Sequence, residues 1–473
     1  MHLSLPSIIT QVVAPQAVAL NLKSFLVGGF VRDLILQRGS KDIDIVCLGS
    51  GINLAKAVAQ ALGSEAHLAV FKNFGTAMVK YKDFELEFVG ARKESYRADS
   101  RKPIVEDGTL EEDLLRRDFT INAMAIPIAL QNPTLADIID PFNGAQDISK
   151  TLLRTPLNPD LTFSDDPLRM MRAIRFATQL HFKVDEKALH AIKQNAHRLK
   201  IVSQERITDE LNKIILSPKP SIGFKLLFDY ELLAHFFPQL TTLSGVEYVD
   251  GKGHKDNFYH TLEVLDNIAQ LTNDLWLRWS AILHDIAKPA TKKYEPGHGW
   301  TFHGHEDKGA RMVKPIFNQL KLPLNEKMKL VQKLVQLHLR PIVLAQDIVT
   351  DSAVRRLLFD AGDDIESLMM LCKADVTTKN EFKKKKYRSN FEIVLQKIKE
   401  VEEKDRIRNW QPPISGEEIM ARYDLPPGRL VGELKNAIRE AILDGQIAND
   451  RDQAIALLQF TATKLGLRET TKK

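Results

Sequence analysis

Asp42 and Asp44, in Lys41-Asp42-Ile43-Asp44-Ile45-Val46, are the residues of this chain best placed by type and spacing to do chemistry. The segment is rich in β-branched residues and reads as a strand, in which positions two apart point to the same side. Both carboxylates therefore stand together, while Ile43 and Ile45 face a core. Two adjacent carboxylates repel unless a cation neutralises them. Mg2+ is hard and oxygen-seeking, and a pair of such ions serves in-line displacement at phosphorus. A solvated strand edge could carry the same two residues, so the spacing needs a second feature beside it. That feature lies upstream, where Leu26-Val27-Gly28-Gly29-Phe30-Val31-Arg32-Asp33 runs from a strand into a helix. Glycines at such a junction let backbone N–H groups approach a phosphate, and a helix start favours negative charge. Gly29 and Arg32 are the nucleotide-binding candidates here, Arg32 offering a planar cation to phosphate oxygens.

Two further stretches carry charge in a pattern. In Glu111 to Met124, Arg116 and Arg117 precede Asp118-Phe119-Thr120-Ile121-Asn122. The paired arginines suit either an anion or a structural lattice with Glu111, Glu112 and Asp113, and Asp118 and Asn122 suit a turn. In Asp165 to Phe176 the pattern predicts a helix. There Asp166 and Arg169, three apart, become neighbours on one face. Together they offer acceptors and donors in a fixed fork, enough to read the Watson–Crick edge of a base. On spacing alone they are equally an i,i+3 ion pair contributing a few tenths of a kcal/mol.

Gly28-Gly29-Phe30-Val31-Arg32-Asp33 followed by Asp42-Ile43-Asp44-Ile45-Val46 resembles the metal-binding signature of the class II tRNA nucleotidyltransferases (CCA-adding enzymes) and bacterial poly(A) polymerases. Arg116 to Ala123 resembles the family's second motif, which implies that Arg117 binds the incoming nucleotide and leaves Arg116 a structural role. Asp166 and Arg169 match the pair that selects C or A and rejects G and U. Arg172 and Arg175 match further nucleotide-binding positions. Asp165 departs slightly from the family, which commonly has Glu there. Gln204 to Leu211 resembles the last motif, read as structural support, and Glu87 offers an extra carboxylate on the same sheet. The resemblance spans about residues 24 to 220. It implies a template-independent enzyme that adds C, C and then A from CTP and ATP to the 3′ end of tRNA, releasing pyrophosphate. Enzymes restricted to A or to CC addition, and poly(A) polymerase, are the alternatives. Val70 to Val79 looks more like the CCA-adding form than the basic segment of poly(A) polymerases, and Tyr96 to Pro103 resembles the flexible loop needed for the final A.

Further along, His260, His284-Asp285, His305, His338 and Asp375 occur in an order that resembles an HD domain, a helical metal-dependent phosphohydrolase fold. The resemblance implies His260, His284, Asp285 and Asp375 as ligands, with His305 and His338 serving a second metal or the phosphate. His and carboxylate donors suit a transition metal such as Mn2+ or Ni2+, whose bound water would attack a phosphate ester. Lys288 could stabilise charge on the phosphoryl oxygens. His254 and His298 read as ordinary side chains. A phosphohydrolase whose head only binds nucleotide is the alternative of another class.

These residues need positioning elements. Ser24–Gly29, Lys41–Gly49, Thr76–Tyr81 and Phe84–Gly90 read as strands, and residues 31–37 and 52–62 as helices between them. The expected architecture is an α+β nucleotidyltransferase head with a small mixed sheet, followed by a mostly helical neck, HD body and tail. The boundaries fall at 1–150, 151–240, 241–390 and 391–473. Residues 248–257 read as a loop, and Pro412-Pro413 breaks the helical pattern. A chain of 473 residues needs several cores. Two distant cysteines, Cys47 and Cys372, exclude a disulfide framework and a cysteine-rich zinc site. No apolar run is long enough for a membrane span and the N-terminus lacks a secretory pattern, so a cytoplasmic enzyme is expected. A net charge of +5 is compatible with a polyanionic partner, and Lys383 to Arg388 suits either backbone phosphate or a solvated helix face.

Overall fold

The structure, a computed structural model, describes residues 2–97, 100–344, 350–377, 380–405 and 410–470. It divides into two compact units, Met1–Pro238 and Gln239–Lys473.

In the first unit, β1 (Ser24–Val27) leads through Gly28 into α1 (Gly29–Ile35), and β2 (Asp42–Cys47) leads into α2 (Gly51–Leu62). Then come β3 (His67–Phe71), β4 (Thr76–Tyr81), β5 (Phe84–Gly90), the hairpin β6 (Arg92–Arg97) and β7 (Ser100–Asp107), α3 (Leu110–Leu115) and β8 (Ala125–Pro127). Six strands form one sheet in the order β3-β4-β5-β2-β1-β8. Only β2 and β5 run parallel in it; the other pairs are antiparallel. The strand period of two divides the sheet into unlike faces. Ile43, Ile45, Ala77, Val79, Leu86 and Phe88 are buried, as are Leu54, Ala55 and Val58 of the covering α2. Gly51 lets α2 settle there, since a Cβ would stand 2.7 Å from the Val89 nitrogen. The alternate positions, Asp42, Asp44, Glu85 and Glu87, form the opposite face.

The four strands expected from the sequence are present, and β3, β8 and the β6–β7 hairpin add to them. The expected helix from Asp165 is corrected. It is two helices, α4 (Pro159–Asp165) and α5 (Leu168–Leu180), with Asp166 extended between them at φ −133°, ψ 96°. Pro167 is the cause, because its ring disfavours helical backbone in the preceding residue. After α5, α6 (Gln204–Ile215) packs its apolar stripe, Ile207, Leu211, Ile214 and Ile215, against it.

The second unit is helical. The expected loop at its start is instead a short hairpin, Tyr248–Val249 with Lys252–Gly253. Asp250 and Gly251 both take positive φ, at 51° and 73°, the geometry of a tight two-residue turn. Five helices then frame a buried core: α7 (Asn257–Ala269), α8 (Leu275–Leu283), α9 (His305–Gln319), α10 (Glu326–Leu337) and α11 (Ile365–Asp375). A long helix, Glu381–Asp405, precedes three more at Gly416–Tyr423, Arg429–Leu443 and Arg451–Lys464. The last three share a core of Ile419, Leu434, Ile438, Ala454 and Leu458. No helix among the described residues is long and apolar enough to cross a membrane.

Candidate functional sites

On the open face of the head sheet, Asp44 stands beside Glu87 across the parallel β2–β5 pair and opposite Val27 on β1. Asp42 is exposed and Asp44 half-buried. Burial raises the Asp44 carboxyl, Arg117 pulls it down and Asp42 raises it again, leaving it above the ordinary aspartate value. Glu87 is raised in the same way, by burial and by Asp44, against Arg92 and Arg117. A divalent cation would relieve this strain of like charges, and oxygen-only donors suit Mg2+.

Gly28 is the residue that keeps the space open. At φ +73°, a Cβ here would lie 2.6 Å from Asp44 Oδ2 and 3.0 Å from Arg117 Nη1. The motif alone points to Gly29 for binding; the specific need lies at Gly28, which the register of β1 against β2 places over Asp44.

The arginines surround this face, each held by an acid. Buried Asp113 takes both neighbours, Arg116 Nη2 at 2.5 Å and Arg117 Nη2 at 3.1 Å. Arg117 Nε has no hydrogen bond. Arg32 donates twice to Asp33, at 2.9 and 3.0 Å, and once to Asn122 Oδ1 at 2.9 Å. Asn122 in turn donates to Asp118, and Arg172 donates to the other Asp118 oxygen at 2.7 Å. Burial acts to raise the Asp118 carboxyl, but Arg172 and Asn122 outweigh it and hold the group at about 2. Arg175 donates to Glu210 on α6 at 2.6 Å and to Gln179. The support expected of the Gln204 to Leu211 stretch thus includes a buried counter-ion.

Asp166 and Arg169 do not share a helix face. The Asp166 carboxylate accepts from the Leu168 N–H at 3.3 Å as a cap on α5, and Arg169 Nη2 donates to the Arg116 carbonyl at 2.7 Å. Asp166 thus precedes Pro167 in extended backbone while Arg169 lies in the first turn of α5. Of the loop at Tyr96 to Pro103, Ala98 and Asp99 lie outside the described residues, and its flanks belong to the β6–β7 hairpin.

The second unit brings its dispersed residues into one buried cluster. His260 comes from α7, His284 and Asp285 follow α8, His305 begins α9, His338 follows α10, and Asp375 ends α11. Asp285 is central. Its Oδ2 lies 3.5 Å from His260 Nε2 and 3.2 Å from His284 Nε2, and its Oδ1 lies 3.2 Å from His305 Nε2 and 3.9 Å from His338 Nε2. Asp375 Oδ1 closes the first group, 3.0 Å from His260 Nε2 and 3.6 Å from His284 Nε2. Two sets of ligand atoms result, His260-His284-Asp285 and Asp285-His305-His338.

The imidazoles are oriented for a metal. Nδ1 of His284, His305 and His338 lies 2.7, 2.8 and 2.6 Å from the carbonyls of Ala281, Phe302 and Val335. Carbonyls only accept, so each Nδ1 carries a proton and each Nε2 is buried and turned inward toward Asp285. His260 differs: its Nδ1 lies 3.0 Å from Lys255 Nζ, which can only donate, so its Nε2 carries a proton toward Asp375. Ligation by His260 needs that proton moved to Nδ1, facing the Thr377 hydroxyl 3.1 Å away. Against the lowering effect of burial, Asp285 and Asp375 push His284 up to about 10, while burial and His284 take His338 down to about 4. Lys288 Nζ is tied to Asp285 Oδ2 at 2.5 Å. His254 and His303 are outside the cluster; His254 packs edge-on against Trp300.

Family models match three stretches: the poly A polymerase head domain over residues 24–154, the probable RNA and SrmB-binding site of polymerase A over 181–243, and the HD domain over 257–380. An A-adding tRNA nucleotidyltransferase from Deinococcus radiodurans is 31% identical over 90% of this chain and 93% of its own length. The chain belongs to the tRNA nucleotidyltransferase family. It is an enzyme of tRNA processing with an HD domain. A second family relative, the multifunctional CCA protein of Shewanella frigidimarina, is 30% identical over 77% of this chain and 86% of its own length. A solved CCA-adding enzyme from Bacillus stearothermophilus, in complex with CTP, shares the fold, with a TM-score of 0.65 at 23% identity and 96% and 97% coverage. Nucleotidyltransferase and HD families generally use divalent metals, and both carboxylate-bearing sites of this family member have donors of that kind.

Proposed function

We propose that this nucleotidyltransferase completes the tRNA 3′ end by adding C, C and A from CTP and ATP. The observation that carries the reading is the open sheet face, where Asp42, Asp44 and Glu87 stand beside Gly28 and within a wall of arginines. Magnesium ions held by Asp42 and Asp44 would supply charge neutralisation to the triphosphate and to the attacking 3′-hydroxyl. Gly28 keeps backbone and phosphate close to Asp44. Arg117 is poised at the mouth, its guanidinium near both Gly28 and Asp44, and binds the incoming nucleotide. Arg32, Arg172 and Arg175 are fixed by their own acids, so they act as a preset cationic background. Asp166 and Arg169 read the base, trading their present backbone partners for its Watson–Crick edge.

The cluster around Asp285 is proposed as a Mn2+ or Ni2+ site for phosphoester hydrolysis, with Lys288 steadying Asp285. A specific observation favours a second reading of the head: the Deinococcus relative that spans nearly the whole chain is A-adding. Extension of a labelled tRNA ending at the discriminator base, with CTP alone, ATP alone and both, separates the two. Sequential C, C and A addition supports the proposal. Extension only of tRNA already ending in CC, and only by A, assigns the chain to the A-adding branch. Long A-tails on generic RNA instead point to poly(A) polymerase.

A further inference from the structure

Phe176, on the buried side of α5, is surrounded by cations. The guanidinium carbons of Arg175, Arg32 and Arg172 lie 4.1, 5.0 and 5.5 Å from its ring centroid. Phe119 meets the ring edge-on at 5.8 Å. Three guanidiniums gathered about one point repel one another. Each has its own counter-ion, Asp33 for Arg32, Asp118 for Arg172 and Glu210 for Arg175. Those acids sit on three different segments, and none of them is hydrogen-bonded to all three cations. The ring is what the three share. An aromatic face is electron-rich and attracts a cation more strongly when water is excluded; Arg32 and Arg175 are largely buried, Arg172 only partly. The hydrogen-bonded chain Asp33–Arg32–Asn122–Asp118–Arg172 passes around the same ring and joins α1 to α5.

We propose that Phe176 is a positioning residue for nucleotide binding: its ring electrostatically holds Arg32, Arg172 and Arg175 in register, so that the cationic wall is formed before a triphosphate arrives. The inference rests on the nucleotide-binding role proposed above for these arginines. Ordinary packing by a side chain of this size requires only its volume. This role requires its charge distribution.

Fluorination separates the two, because it withdraws charge from the ring face at nearly constant size. Phenylalanine at 176 is replaced in the full chain by its 4-fluoro, 3,5-difluoro and 3,4,5-trifluoro analogues, and the Kd for CTP and for ATP is measured with the melting temperature. The expected result is a stepwise weakening of both nucleotides, reaching about tenfold with three fluorines, while the melting temperature holds within about 2 °C. Phe176→Leu is expected to weaken binding at least as much as the trifluoro analogue. A flat Kd across the series overturns the proposal, whether or not the melting temperature moves. Failure of the unsubstituted protein to bind either nucleotide overturns the underlying assignment instead.

Discussion

The head and the HD cluster both gather acids, but they do it in opposite ways. In the head, the donors are carboxylates on an open sheet face, with Asp42 exposed and the compensating arginines held back by Asp113, Asp33, Asp118 and Glu210. Asp44 and Glu87 are raised first by burial and then by a neighbouring carboxylate, and the arginines do not fully offset this. In the cluster, Asp285 is buried and contacted by histidines and Lys288, which hold its carboxyl well below the ordinary range. The difference is one of access: the head carboxylates face an open surface, whereas Asp285 lies enclosed among its histidines.

The largest effect that can break this comparison is a crossed pair of substitutions. Asp44→Ala is expected to lower nucleotide addition by about 10³-fold or more, since it removes the ligand proposed to hold a metal ion at the reacting phosphorus. It leaves hydrolysis of a phosphomonoester in Mn2+ or Ni2+ unchanged. Asp285→Ala is expected to do the reverse, with metal content after desalting falling at both ligand sets because Asp285 belongs to each. Loss of both activities in either variant would contradict independent sites.

A smaller effect sharpens the account of the head. Gly28→Ala places a methyl 2.6 Å from Asp44 Oδ2 and forces a side chain into positive φ. Addition is expected to fall by about 10²-fold through misplacement of Asp44, with Gly29→Ala milder because the nearest atom to its Cβ is on the Arg32 guanidinium, at 3.3 Å. Equal losses in steady-state kinetics would remove the special role of Gly28.

The smallest effect concerns protons. His284 is pushed up to about 10, so it is protonated at neutral pH in the metal-free cluster. A raised folded-state value means that this charge stabilises the fold fully below the ordinary histidine range and ceases to do so as pH rises through about 10. Binding of Mn2+ or Ni2+ to the His260-His284-Asp285 set at pH 7.5 must expel that proton, and titration calorimetry in buffers of different ionisation heat should report release of about one proton for each ion bound there. Buffer-independent heats would show that His284 is already neutral.

Much of this was legible in the sequence, for reasons that particular residues make clear. Asp42 and Asp44 could be paired because a strand repeats every two residues, and Ile43 and Ile45 announced which side was core. The edge strand His67–Phe71 was not legible, because most of it is exposed and its pattern carries no alternation. Helical periodicity ran straight through Pro167 and joined Asp166 to Arg169 on a face that does not exist. Gly28 and Phe176 emerge only when distant segments meet, Asp44 over one and Arg32 over the other. The HD residues were gathered by their order along the chain. That they share Asp285, and that Nδ1 contacts orient three of the rings, is information only the fold contains.

The two-faced sheet has a consequence for how this enzyme can change. Along β2, neighbouring letters answer to separate demands: Ile43 and Ile45 to the packing under α2, Asp42 and Asp44 to the open face and the chemistry proposed for it. A substitution at an odd position spends its effect on how much folded protein exists, and one at an even position on what each folded molecule does. Within these few residues abundance and turnover can be altered almost independently, simply by which side of the backbone a side chain leaves.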